Sequence, residues 1–185
     1  MNRIKNQALA LVVILAAVLV LAEAWGQWLP FPQKGARRGE TRIFHLGEIE
    51  QGIYRLTNEV RRKNRLSSLD KDEALAAAAR AHSDDMLRRN FFGHVNPDGQ
   101  SMKERLAPVT AATVSRAGEN IWSGSGQDYT DSKRLVQIIV DSWMSSPAHR
   151  ANLLNPEYTH LGVGVSLLGK EIRATQLFTD AKSQR

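Results

Sequence analysis

The chain has 185 residues, 42% of them apolar, a formal charge of +6 and no cysteine. That length supports one sizeable hydrophobic core and excludes two ordinary ones, and the missing cysteines exclude a disulfide-stapled module. The basic excess belongs to the body of the chain, since residues 1–24 carry only Arg3, Lys5 and Glu23 as charged groups, and the few aromatics do not interleave with the basic runs as a nucleic-acid groove requires.

Arg3 and Lys5 precede an uncharged apolar run from Ala8 to Ala22, and Ala22-Glu23-Ala24 gives an A-x-A cleavage pattern. Residues 1–24 therefore read as an export signal. The run falls short of the roughly 20 residues that span a bilayer, yet Trp25 and Trp28 follow directly and suit a headgroup-level anchor. The protein is expected to be secreted or extracytoplasmic, either cleaved or tethered to the membrane through residues 7–25. Residues 25–46 hold Pro and Gly without a sustained apolar period and read as a linker. That leaves 47–180 as the domain.

Over residues 48–64, Ile49, Ile53, Leu56 and Val60 recur at helical spacing and predict an amphipathic helix. Leu66 and Leu69 read as core plugs. Asp70 reads as the N-cap of an alanine-rich second helix reaching Arg89, whose small side chains permit close approach by a neighbour. The basic runs Arg61-Arg62-Lys63 and Arg88-Arg89 read as solvated helix ends, or as a patch for an anionic cell-envelope surface. Residues 91–99 have the turn chemistry of an ordered loop, closed by Pro97-Asp98-Gly99. Ser101 and Glu104 form a capping-box pattern for a short helix that Pro108 limits. After residues 118–122 a Ser-Gly-Ser-Gly stretch reads as loop. Residues 131–143 read as a helix with Leu135, Ile139 and Trp143 on one face, and Pro147 starts a fresh helical turn. Residues 161–165 and 172–178 are strand-like, with Gly169 turning between them. Helices followed by a terminal hairpin predict an α/β layered domain.

Four segments stand in order as a set: Ala81-His82-Ser83-Asp84-Asp85-Met86; Phe91-Phe92-Gly93-His94-Val95-Asn96-Pro97-Asp98-Gly99; Ala117-Gly118-Glu119-Asn120-Ile121; and Trp143-Met144-Ser145-Ser146-Pro147-Ala148-His149-Arg150-Ala151-Asn152-Leu153-Leu154 running into Gly162-Val163-Gly164. Their order and spacing resemble the bacterial branch of the CAP superfamily, the SCP-like extracellular proteins. The resemblance implies a single three-layer α-β-α sandwich, α/β (α+β) in class, with an open cavity lined in many eukaryotic members by two histidines and two glutamates. On the matching positions His94 stands for the first histidine, Glu119 for the first glutamate and His149 for the second histidine. The second glutamate has no counterpart, and Ser146 falls near its place.

Two imidazoles and a carboxylate make a His₂Glu metal set with one open coordination position, for which Zn2+ is the expected ion. The same three residues equally make a polar network that fixes two loops. No compact metal-binding spacing decides between these. His82, in step with Leu75, Ala78, Ala79 and Met86, faces inward, either as a satisfied core histidine or as a binding residue on the cavity floor. The expected function is a non-catalytic cell-envelope binding module for a lipid, glycan or peptide, without a nucleic-acid partner. The alternatives are a metal-assisted hydrolase in the same cavity and an envelope interaction protein whose cavity is a relic. Enzyme status stays open. Against catalysis stand the lack of a Gly-x-Ser-x-Gly elbow around Ser146 and the difficulty of using Glu119 as both ligand and base.

Overall fold

The computed structural model describes residues 45–110, 114–126 and 131–181. Every described residue belongs to one compact unit within Arg42–Arg185. The expected signal or anchor and nearly all of the linker lie outside the described residues. Among the described residues no helix is long and apolar enough to cross a membrane.

Helix α1 (Leu46–Lys63) buries Ile49 and Ile53, as its periodicity predicts, but continues the same stripe with Thr57, Asn58 and Arg61. Polar groups inside a core must find partners, and these do. Asn58 Nδ2 donates to Leu69 O at 3.1 Å while its Oδ1 accepts from Leu69 N at 2.7 Å. Arg61 is fully buried and donates to the carbonyls of Ser67, Leu153, Asn155 and Tyr158 at 2.9, 2.8, 2.9 and 3.4 Å. The basic run at 61–63 is therefore not a surface patch throughout: its first member is an internal strut, because the helical stripe turns it inward.

Asp70 does not cap the second helix. Residues Asp70–Lys71 form a short strand, β1, paired in parallel with His160 and Leu161, and the cap falls to Asp72, which accepts from Ala74 N at 2.9 Å and Leu75 N at 3.0 Å. Helix α2 (Glu73–Arg88) then lies on one face of the sheet. A Cβ on Gly164 would stand 2.0 Å from Arg80 N, and one on Gly162 would stand 2.3 Å from Ala76 N. Helix and strand backbones thus meet with almost nothing between them, which is the use of the alanine-rich sequence.

The sheet has four strands in the order β1-β3-β4-β2, with β2 at Ala117–Ser125, β3 at His160–Leu168 and β4 at Glu171–Thr179. Gly169, at φ 61°, turns the β3–β4 hairpin. The Ser-Gly-Ser stretch read as loop is the second half of β2. It is extended because its antiparallel register with β4 runs unbroken from Ala117↔Thr179 to Ser125↔Glu171; cross-strand pairing overrides the weak β propensity of Gly and Ser. The short helix α3 (Met102–Leu106) carries the expected Ser101–Glu104 capping box. Helix α4 (Ser132–Ser145), capped by Asp131, and helix α5 (Pro147–Leu153) follow. Ile49, Ile53, Leu135, Ile139 and Trp143 of α1 and α4 share one core with Val163, Val165, Ala174 and Phe178 of the sheet face opposite α2. The result is the α-β-α sandwich.

Candidate functional site

Helix α2 ends in a left-handed turn at Asn90, φ 51°, and the Phe91 N–H donates back to Met86 O at 3.0 Å. Asparagine tolerates this conformation better than most residues. The chain is thereby sent into the loop 91–100. His82, fully buried on α2, meets Gly93 O with Nε2 at 3.0 Å, so that nitrogen carries the proton; its Nδ1 is buried without a hydrogen-bond partner among the described residues. Farther along the loop, Asn96 Oδ1 accepts from Asp98 N at 3.1 Å and Gln100 N at 2.9 Å, with Gly99 at φ 79° closing the turn.

The loop is clamped onto β2 through one carboxylate. The Glu119 side chain is 2% exposed; Oε1 accepts from His94 Nδ1 at 2.8 Å and Oε2 from Arg105 Nη2 at 2.5 Å, with His82 Nε2 3.9 Å from Oε2. Arg105, on α3, also donates through Nη1 to His94 O at 2.8 Å and Gln100 O at 3.1 Å. One guanidinium therefore fixes His94 twice, directly at its main chain and through Glu119 at its ring. Because Nδ1–H is given to Glu119, Nε2 is left as a bare acceptor on a side chain that is 54% exposed. The bond to Glu119 raises the His94 pKa, against burial and the nearby Arg105 charge.

On the other side of β2 stands α5. Asn152 Nδ2 donates to Glu119 O at 3.1 Å and Asn120 Oδ1 at 2.9 Å, and Asn120 Nδ2 donates to His149 O at 3.1 Å and Gln176 Oε1 at 3.3 Å. Gln176 in turn donates to Thr57 Oγ1 at 2.8 Å, so a buried string of amides ties α5 through the sheet to α1. A Cβ on Gly118 would stand 2.5 Å from Tyr158 Oη and 2.9 Å from Asn152 Oδ1. Glycine in Gly118-Glu119-Asn120 is what allows this approach. Burial, then the charge of His94, hold the His149 pKa below the ordinary value. His94 stands on the loop from α2 and His149 on α5. Ser146 occupies the N-cap position of α5, and its side chain makes no capping hydrogen bond.

The pattern described as the cysteine-rich secretory protein family, CAP, matches residues 54–178. The chain belongs to the CAP family. It is 40% identical over 116 residues to the membrane protein YlbC of Bacillus subtilis (strain 168) and 37% identical over 115 residues to YkwD of the same organism, covering 63% and 62% of this chain. It spans only 31% and 41% of those relatives' own lengths. The crystal structure of an extracellular protein containing a SCP domain from Bacillus anthracis str. Ames is similar, with a TM-score of 0.60 and 33% identity, covering 73% of this chain and 41% of that one.

In this CAP domain no three His, Asp or Glu side chains among the described residues are grouped to hold a metal ion. Glu119, expected beside His94 and His149 as a ligand, bonds Arg105 Nη2 at 2.5 Å and His94 Nδ1 at 2.8 Å, and a divalent ion on that carboxylate would face the guanidinium charge. Arg105 is the site residue that sequence reasoning missed; its only signal is its place next to the capping Glu104.

His82 supplies a test of the buried layer. Its pKa is held below 6.5, first by burial, while Glu119 pulls the other way. With the folded value depressed, the unfolded chain binds more protons as pH falls below about 6.5, so His82 withdraws stability on the acid side. His94 has the opposite sign: its contribution is full below its unfolded value and is lost as pH rises through the raised folded one. His82→Gln keeps a donor for Gly93 O but cannot titrate. Melting temperatures between pH 5 and 8 should fall less steeply on the acid side for this variant than for the wild type, and identical slopes would exclude His82 as the source.

Proposed function

We propose that this chain is an extracytoplasmic or membrane-associated CAP domain that binds a polar ligand without turning it over, at the rim where His94 presents its free Nε2. The location is supported by the basic-then-apolar N-terminus, by the extracellular SCP-domain structure and by the membrane protein YlbC. The observation that carries the binding role is the Glu119 clamp. It spends a buried carboxylate and a guanidinium on holding one imidazole outward with a free Nε2, which can accept a hydrogen bond from a polar ligand.

Beside the clamp lies an open groove of about 540 Å³ lined by His82, Arg88, Arg89, Asn96, Glu104 and Arg105. Such a charged, open surface suits a glycan or a peptide better than an acyl chain, which needs an enclosed apolar cavity. Ligand mass spectrometry, glycan arrays and peptide arrays on the full chain in detergent test the reading. Binding by one polar class, lost in His94→Ala with melting temperature retained, is the expected result. Turnover of ester, peptide or cell-wall substrates that disappears in Glu119→Gln would overturn it in favour of a hydrolase.

A further inference from the structure

The β2 strand lies at the edge of the sheet, and the described residues cover its outward main chain over only half its length. In an antiparallel strand the N–H and C=O of alternate residues point to the same side. Gly126 N donates inward to Lys170 O, so the odd-numbered residues of β2 point outward. Two of their carbonyls are capped by side chains: Glu119 O by Asn152 Nδ2 at 3.1 Å and Ile121 O by Trp143 Nε1 at 3.0 Å. Beyond them Ser123 and Ser125 are exposed, and no main-chain partner takes their outward groups among the described residues.

Edges of this kind are ordinarily blunted by proline, lysine or a bulge. This one has none: the sequence is Ser123-Gly124-Ser125 and the register with β4 is continuous. The loop that carries His94 adds apolar surface beside it. Phe92 is 52% exposed, its ring lies 5.9 Å from the guanidinium carbon of Arg173, and Arg173 is the cross-strand partner of Ser123. Val95, one residue past His94, is 54% exposed.

We infer that the outward edge of β2 at Ser123 and Ser125 receives an extended peptide as an added strand, with an apolar side chain of that peptide resting on Phe92. Donors and acceptors repeating about every 6.8 Å along a line are matched by another strand, whereas a sugar offers no such period. The inference rests on the binding role proposed for the His94 rim and names the ligand class as peptide.

The test uses the isotope-labelled full chain in detergent and a soluble synthetic heptapeptide alternating valine with threonine or lysine. On titration the Ser123 and Ser125 amide protons should move downfield and exchange with solvent about tenfold more slowly, and the same peptide N-methylated at alternate amides should do neither. Ser125→Pro should abolish the effect; if that variant does not fold, the N-methylated peptide alone decides. Binding of the peptide with both amides unmoved would overturn the edge assignment while leaving a binding domain, as would glycan binding at His94 with both amides silent. Failure of every peptide and glycan probe to bind would overturn the edge assignment and the binding role together.

Discussion

Replacing Arg105 with methionine is expected to destabilise the domain by about 3–5 kcal/mol, the usual consequence of leaving a buried charge without its partner. Whole domains hold only about 5–15 kcal/mol, so the melting temperature should drop sharply. The Glu119 side chain is 2% exposed and that of Arg105 14%, so water screens neither well. The His94 and Gln100 carbonyls lose their donor in the same stroke. Adding Glu119→Gln to Arg105→Met removes the orphaned charge and should recover a large part of the loss, a coupling that urea unfolding of the two single variants and the double variant measures. The His94 imidazole gives a second readout: Arg105 depresses its pKa in the wild type, so the value followed by NMR should rise when Arg105 alone is removed. A loss under about 1 kcal/mol, or an unmoved imidazole, would mean that the clamp does not organise the site.

Arg61→Met should cost about 3 kcal/mol or more, since hydrogen bonds from charged donors are worth more than neutral ones and several buried acceptors are abandoned together. One of these acceptors, Leu153 O, is in the last residue of α5, where helix carbonyls favour a cation, and Asn155 O follows just past the helix. Arg61→Lys should restore only part of the loss, because a single ammonium cannot reproduce a planar fork that reaches Ser67, Leu153, Asn155 and Tyr158. Since α5 carries His149 and Asn152, the damage should extend to the site. Amide exchange over residues 147–153 should accelerate in Arg61→Met beyond what the global loss of stability explains, and exchange that tracks global unfolding alone would confine Arg61 to a general stabilising part.

Local pattern and tertiary demand divide what the sequence disclosed. Ile49 and Ile53, the Ser101–Glu104 box, Leu135, Ile139 and Trp143, and the turn at Gly169 were all legible, because each is decided by residues a few positions away. Arg61 was not: a basic triplet at a helix end is ordinarily solvated, and its acceptors at 67, 153, 155 and 158 come together only on folding. Asp70 and Asp72 are equivalent as caps by pattern; the parallel pairing of Asp70 with His160 chooses between them. The second half of β2 was hidden because Ser and Gly carry little β signal until β4 pairs with them. His94, Glu119 and His149 were visible only through the motif that contains them. Arg105 was invisible because its partner Glu119 lies across a helix and a loop from it.

The strand order carries a consequence for how the chain reaches its fold. β3 and β4 occupy the middle of the sheet, and each edge strand pairs with only one of them, β1 with β3 and β2 with β4. A chain that emerges from its N-terminus, whether from a ribosome or from a membrane pore, presents α1, β1, α2 and β2 long before either central strand, and contacts so distant in sequence form slowly. Until then no sheet exists for the early segments to join. The hairpin at 160–179 acts as a latch: both edge strands wait for it, and the sheet closes only once it is made.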